Sequence, residues 1–202
     1  MTPILHDWEL SGDCYAVRLG AALMGVALER RGVDVHPGAE HRGAAFRSLN
    51  PRGTLPVLVD GAATLTSAPG ALGHLARTRA PGWLPCEQGA ALDWLCFAAR
   101  DLAASEAARQ AALFDAPDRA AEAAARRALR LLDRHLAERG FEGRSWIVGE
   151  APSIVDVACF PAVALAVDWG ETLEDMPPLR AWTRRLRALP GFVAMPGVPE
   201  FL

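Results

Sequence analysis

The 202-residue chain contains no lysine: all 21 of its basic side chains are arginines. A mechanism that runs through a lysine of this chain is therefore excluded. With so much alanine alongside, the arginine-only usage reads as a GC-rich coding bias rather than a function. Cysteine is scarce and scattered. Cys14, Cys86, Cys96 and Cys159 form no Cys-x-x-Cys pair and no ligand cluster with the histidines, so no metal site is expected. Such a scatter suits reduced thiols and a cytoplasmic setting. Charge of one sign is lacking too. A net charge of −3 offers no attraction for nucleic acid or an anionic membrane, and neither partner is expected. Long apolar runs are missing: the alanine-rich stretches are broken by charges, so none reads as a membrane span. His6, Asp7 and Glu9 interrupt any apolar run near the start, and a secretory leader is not expected there. There is no internal repeat and no low-complexity tail.

What is present divides into two kinds of pattern. Pro3-Ile4-Leu5-His6 reads as a first strand and Gly12-Asp13 as a turn. From Cys14 to Arg31 the apolar positions fit a buried helix stopped by Gly32, and Val33-Asp34-Val35 reads as a second strand. A turn of helix is expected at Ala44 to Leu49. Thr54 to Val59 and Ala63 to Thr66 read as a hairpin around Asp60-Gly61. Ser67-Ala68-Pro69 then opens a helix to Arg77, with proline in its first turn. A βαβ unit followed by a ββα unit is the thioredoxin-like arrangement, assigned to residues 1–79. Residues 80–86, with Pro81, Gly82 and Pro85, read as a linker. Residues 87–202 read as an all-helical domain. Glu87 to Phe114 and Asp118 to Arg139 are long helical patterns. Leu129, Leu132 and Leu136 share one face, and Gly140 and Gly143 close that helix. Ser153 and Asp156 are spaced to cap a further helix reciprocally, and Pro177-Pro178 precedes a last one, Leu179 to Leu189.

The most informative stretch is Asn50-Pro51-Arg52-Gly53-Thr54-Leu55-Pro56-Val57-Leu58-Val59-Asp60-Gly61. A loop with two prolines and a glycine runs straight into an apolar strand. Pro56 stands at the strand's first position, where a missing N–H costs little. A cis bond there would turn the chain and expose the backbone of Leu55, which could bind a peptide-like ligand in strand fashion. An ordinary loop and hairpin fits the residues as well. The motif Asn-Pro-x-Gly-x-x-Pro, followed by an apolar strand and Asp-Gly, resembles the glutathione S-transferase family. Ser11-Gly12-Asp13-Cys14-Tyr15-Ala16-Val17-Arg18-Leu19 resembles the strand-to-helix turn of bacterial, serine-type members and of the zeta class. Ser153-Ile154-Val155-Asp156 and the tail Leu189-Pro190-Gly191-Phe192 are similar to its C-terminal domain. The resemblance implies a thioredoxin-like α/β domain followed by an all-α helical domain, with Pro56 on a cis bond.

Ser11 lies ahead of a helix N-terminus, where free N–H groups and the dipole favour an anion. It reads either as the helix cap or as a donor to a thiolate. The resemblance implies the second, with glutathione as co-substrate. Cys14 is the rival, reading as a buried small hydrophobe or as a reactive thiol in the first helical turn; the neighbouring Asp13 opposes its ionisation. By resemblance, Leu55 and Pro56 hold the cysteinyl backbone of glutathione, and Ser67 and Ala68 the glutamyl carboxylate. His41 or Arg52 holds the glycyl carboxylate. Family members usually carry an acidic residue or glutamine and then serine where this chain has Ser67-Ala68, so the glutamyl ammonium has less to hold it here. Trp8, Tyr15, Trp94, Phe97 and Phe114 are candidates for an apolar pocket taking a small hydrophobic electrophile, though aromatics at helical spacing are more often core. Asp101 could reach across a dimer, and Arg18 reads as structural. The family implies a homodimer. Three functions fit: a transferase that activates thiols through Ser11, a non-catalytic ligand-binding or interaction module, and a glutathione-dependent thiol-disulfide oxidoreductase working through Cys14.

Overall fold

The computed structural model describes residues 1–195; the end of the expected helical domain, residues 196–202, lies outside the described residues. The chain begins β1 (Ile4–Asp7), α1 (Gly12–Leu23), β2 (Glu29–Gly32), a short α2 (Ala44–Leu49), β3 (Val57–Asp60), β4 (Ala63–Leu65) and α3 (Ala68–Arg79). The sheet runs in the order β2-β1-β3-β4, with β1 and β2 parallel and the other pairs antiparallel. Five helices follow: α4 (Gln88–Arg100), α5 (Ala103–Leu113), α6 (Arg119–Phe141), α7 (Ile154–Ala164) and α8 (Pro177–Arg187). Thioredoxin-like α/β followed by all-α is the expected fold class. The Leu55–Pro56 bond is cis, as expected, and so is His36–Pro37, which no motif announced.

Three expected elements change. The first helix stops at Leu23, not at Arg31. Gly25 takes a positive φ of 68°. Its N–H donates to the Ala22 carbonyl (3.0 Å), and the Val26 N–H donates to the Ala21 carbonyl (2.8 Å). These reversed bonds close the helix and satisfy its last carbonyls. The freed residues Glu29–Gly32, not Val33–Val35, make the second strand. It is an exposed edge strand, where charged side chains guard against pairing with another chain. The long pattern Glu87 to Phe114 also divides. The Leu102 N–H reaches back to the Phe97 carbonyl, one residue farther than an α-helical bond, and the helix restarts at Ala103.

One apolar core runs through both parts. Tyr15, Val17 and Leu19 of α1 and Leu72 and Leu75 of α3 pack with Val157 and Phe160 of α7 and with Trp182 of α8. Gly20 permits this approach: a Cβ there would lie 2.2 Å from Leu72 and 3.3 Å from Val157. Each fully buried aliphatic or aromatic side chain contributes about 1.5–3 kcal/mol. The expected box at α7 is formed. Ser153 Oγ accepts from the Val155 N–H (3.2 Å), and Asp156 Oδ2 accepts from the Ser153 N–H (3.0 Å). No helix among the described residues is long and apolar enough to cross a membrane.

Candidate functional site

A cleft of about 410 Å³ opens where the carboxyl side of the sheet meets the helical layer. Its first wall carries Gly12 and Asp13 at the start of α1, Arg52, Thr54 and Leu55 ahead of β3, and Thr66 to Pro69 around the start of α3. The second wall is made mostly of small side chains. Ala98 and Ala99 come from α4, Leu102, Ala103 and Glu106 from the turn into α5 and from α5 itself, and Ala158, Pro161 and Ala162 from α7.

Two helix N-termini therefore face the same space, and their donors can be counted. At α1, Ser11 is the cap. It is buried behind Gly12 and Asp13 and is itself outside the lining, with its Oγ accepting from the Cys14 N–H at 3.2 Å. A hydroxyl that accepts through a lone pair still has its proton to donate. The Gly12 N–H is taken by Glu106 Oε1 (3.2 Å), reaching in from α5. At α3, Ser67 Oγ accepts from the Gly70 N–H (3.2 Å), its carbonyl accepts from the Ala71 N–H (2.9 Å), and Pro69 has no N–H. This leaves the Ala68 N–H as the first-turn donor that the cap does not consume. Arg52 stands beside it, donating to the Thr66 carbonyl at 3.0 Å and to the Thr66 hydroxyl. The chain thus brings Leu55, Arg52, Ser67 and Ala68 into one cleft, with Pro56 buried directly behind Leu55.

Other expected residues go elsewhere. Cys14 is fully buried, its sulfur accepting from the Trp8 N–H at 3.4 Å, and burial pushes its thiol up to about 12. Such a thiol resists the ionisation that disulfide exchange needs. Trp8 is half-buried in the turn before Ser11 and does not line the cleft. His41 sits on a 3₁₀ turn, Glu40–Arg42, also outside the lining, with its carbonyl against Gly53. Burial first, then Arg42 and Arg47, lowers its pKa, and its buried Nδ1 has no hydrogen-bond partner. The aromatic pocket does not form from the expected residues. Tyr15 is core, donating to the Val193 carbonyl (2.8 Å). Trp94 meets Phe97 edge-on and His135 at a tilt, and Phe114 meets His36 at a tilt. The cleft wall is alanine and proline instead, because α4 turns its aromatic side toward His135 of α6. Arg18 is structural, bonding Asp7 and the Glu9 carbonyl, and Asp101 pairs with Arg100.

The residues that sequence reasoning missed are acidic. Solvent reaches Asp13, yet protein surrounds it closely enough to raise its carboxyl to about 6, with Glu106 adding to the shift. Burial raises Glu106 as well, opposed by the Gln110 amide, Arg109 and the Gly12 N–H. Arg109 is itself buried, bonded to Asp168 at 2.6 Å and to the Leu10 carbonyl. A lone acid in an alanine-rich helix was the available signal, but the Arg109 and Gln110 that follow at helical spacing give it a local explanation.

Comparison with known proteins agrees with this fold. A family model described as glutathione S-transferase, C-terminal domain, matches residues 71–185. A probable maleylacetoacetate isomerase of Vibrio cholerae is 30% identical over 95% of this chain and 94% of that protein. The crystal structure of a glutathione S-transferase from Pseudomonas fluorescens superposes with a TM-score of 0.86 at 25% identity, covering 97% of this chain and all of that one (100%). One from Xanthobacter autotrophicus gives 0.84 at 28% identity, with both chains covered in full (100%).

Proposed function

Because the chain belongs to the glutathione S-transferase family, we propose that it is a glutathione-dependent enzyme conjugating the glutathione thiolate to a small hydrophobic electrophile. The observation that carries this reading is the cleft, which gathers the start of α1, Leu55 and the start of α3 opposite a wall of small apolar side chains. A free thiol of this type ionises near roughly 8.5, so neutral pH leaves it mostly protonated. In our reading the Ser11 hydroxyl donates to the sulfur and holds it as thiolate. Leu55 and Pro56 present backbone to the cysteinyl residue. Arg52 joins Ser67 and the Ala68 N–H on the glutamyl carboxylate, because its guanidinium lies at Thr66. His41, outside the lining, is given no contact. Catalysis is then thiolate stabilisation and proximity. The enzyme works as a homodimer in the cytoplasm, and light scattering at micromolar concentration should return twice the chain mass.

Conjugation kinetics test the assignment. Ser11→Ala should cut turnover by about tenfold or more, the effect of one unit on the thiol pKa, while Cys14→Ala keeps most activity. An equal or larger loss from Cys14→Ala, with Ser11→Ala active, would move the chemistry to the cysteine. A second reading, a ligand-binding module without turnover, is favoured by one contact: Glu106 already occupies the first N–H of α1. Glutathione binding without conjugation of any electrophile would select it.

A further inference from the structure

Among the described residues of the helical wall, Glu106 is the one that carries a charge into the cleft. Its position is fixed from several sides. Oε1 accepts from the Gly12 N–H (3.2 Å) and from the Gln110 amide (3.0 Å). Oε2 stands only 2.7 Å from where a Cβ on Gly12 would be, so no side chain separates the carboxylate from α1. The groups around it leave this end of the cleft negative. Asp13 faces it from α1. Arg109, on its own helix, is 3.7 Å away but is engaged by Asp168 at 2.6 Å. The α7 side contributes uncharged Ala158, Pro161 and Ala162. Arg52, the cation of the cleft, is turned to Thr66.

We infer that Glu106 sets the charge of the second substrate: beside the thiol, the cleft takes an uncharged electrophile and turns away one bearing a carboxylate. The inference rests on the glutathione reading above, which places the sulfur at the start of α1, next to Glu106. A carboxylate brought there meets two like charges in a half-solvated space, and among the described residues that wall lines the cleft with no cation to offset them. Such a contact weakens binding by about tenfold or more. An uncharged group of the same shape meets alanine, proline, Leu102 and the carboxylates' edges, and loses nothing comparable.

Two unreactive thioethers of matched shape provide the test, S-(4-nitrobenzyl)glutathione and S-(4-carboxybenzyl)glutathione, titrated calorimetrically into the protein at pH 7.5. The carboxybenzyl compound should bind the unaltered protein about tenfold more weakly. In Glu106→Gln, which keeps an oxygen for the Gly12 N–H, the gap should close to about twofold. Asp13→Asn, on the solvent-reached side, should close it in part. An unchanged gap in both variants, or equal binding of the two compounds to the unaltered protein, overturns the inference. If neither compound binds and glutathione itself also fails, the glutathione reading falls and takes this one with it. If glutathione and both compounds bind with no gap, only the charge selection is wrong.

Discussion

The N-termini of α7 and α1 are built from the same parts and end differently. Each has a serine cap and a carboxylate on a backbone N–H. At α7 the carboxylate comes from the helix itself: Asp156 is completely buried and collects the Ser153 N–H and hydroxyl, the Ile147 N–H and the Trp182 indole N–H. At α1 it comes from Glu106, on another helix and 94 residues away, in a cleft that solvent enters. The first arrangement leaves nothing for a ligand and serves folding. The second holds together a site whose donors and acids are within reach of small molecules. The difference is one of solvent: a polar group satisfied in the interior is costly to disturb, while one at a cleft can exchange its partner for water or ligand.

That contrast can be broken by deleting each carboxylate. Asp156→Ala strips several buried donors of their acceptor and removes half of a capping box. The loss should be about 4 kcal/mol, seen as a melting temperature lower by roughly 10 °C or more. Glu106→Ala leaves the Gly12 N–H to solvent in the cleft, and should cost about 1 kcal/mol. Equal losses in thermal unfolding would mean that the α1 contact is structural after all.

The smallest effect concerns Asp13 and sharpens the same contrast. Its carboxyl rises from an ordinary 3.8 to about 6 in the folded chain, so the folded state holds that proton more tightly than the unfolded one. Stability from this group is present at low pH and is lost as pH rises from about 4 through about 6. Asp13→Asn removes the dependence. The melting temperature of the variant relative to the parent should therefore be higher at pH 8 than at pH 4.5. A constant difference across that range would show that Glu106 and the surrounding protein do not act on Asp13 in solution.

The same contrast explains what could be read from the residues. Ser153 and Asp156 lie three apart, and their box is legible because its partners are local. The hairpin around Asp60-Gly61 and the short helix Ala44–Leu49 announce themselves in the same way. The end of α1 was hidden because Gly25 is followed by apolar Val26 and Leu28, which continue a helical pattern that the backbone abandons. The charged edge strand Glu29–Gly32 carries none of the usual strand residues. At the site, Leu55, Arg52, Ser67 and Ala68 could be named through the family resemblance that one motif and its flanks carry. Their gathering with Glu106 could not, because it depends on how α5 docks against α1. The aromatic candidates failed for a related reason: helical spacing gives a face, but not which neighbour that face meets.

The central claim is that this cleft receives glutathione with its α3 end under-equipped. Ser67 accepts from the Gly70 N–H and has one hydroxyl proton left to donate, Ala68 has no side-chain donor, and no acid among the described lining residues at that end stands ready for the glutamyl ammonium. Calorimetric titration of glutathione into the unaltered protein and into the double variant Ser67→Glu/Ala68→Ser tests this most directly. Losing the Ser67 cap costs the variant about 1 kcal/mol of stability, so both titrations belong well below the melting range. The unaltered protein should bind in the millimolar range, and the double variant should gain about tenfold, or 1.4 kcal/mol. Tight binding by the unaltered protein, or no binding by either form, would contradict the claim.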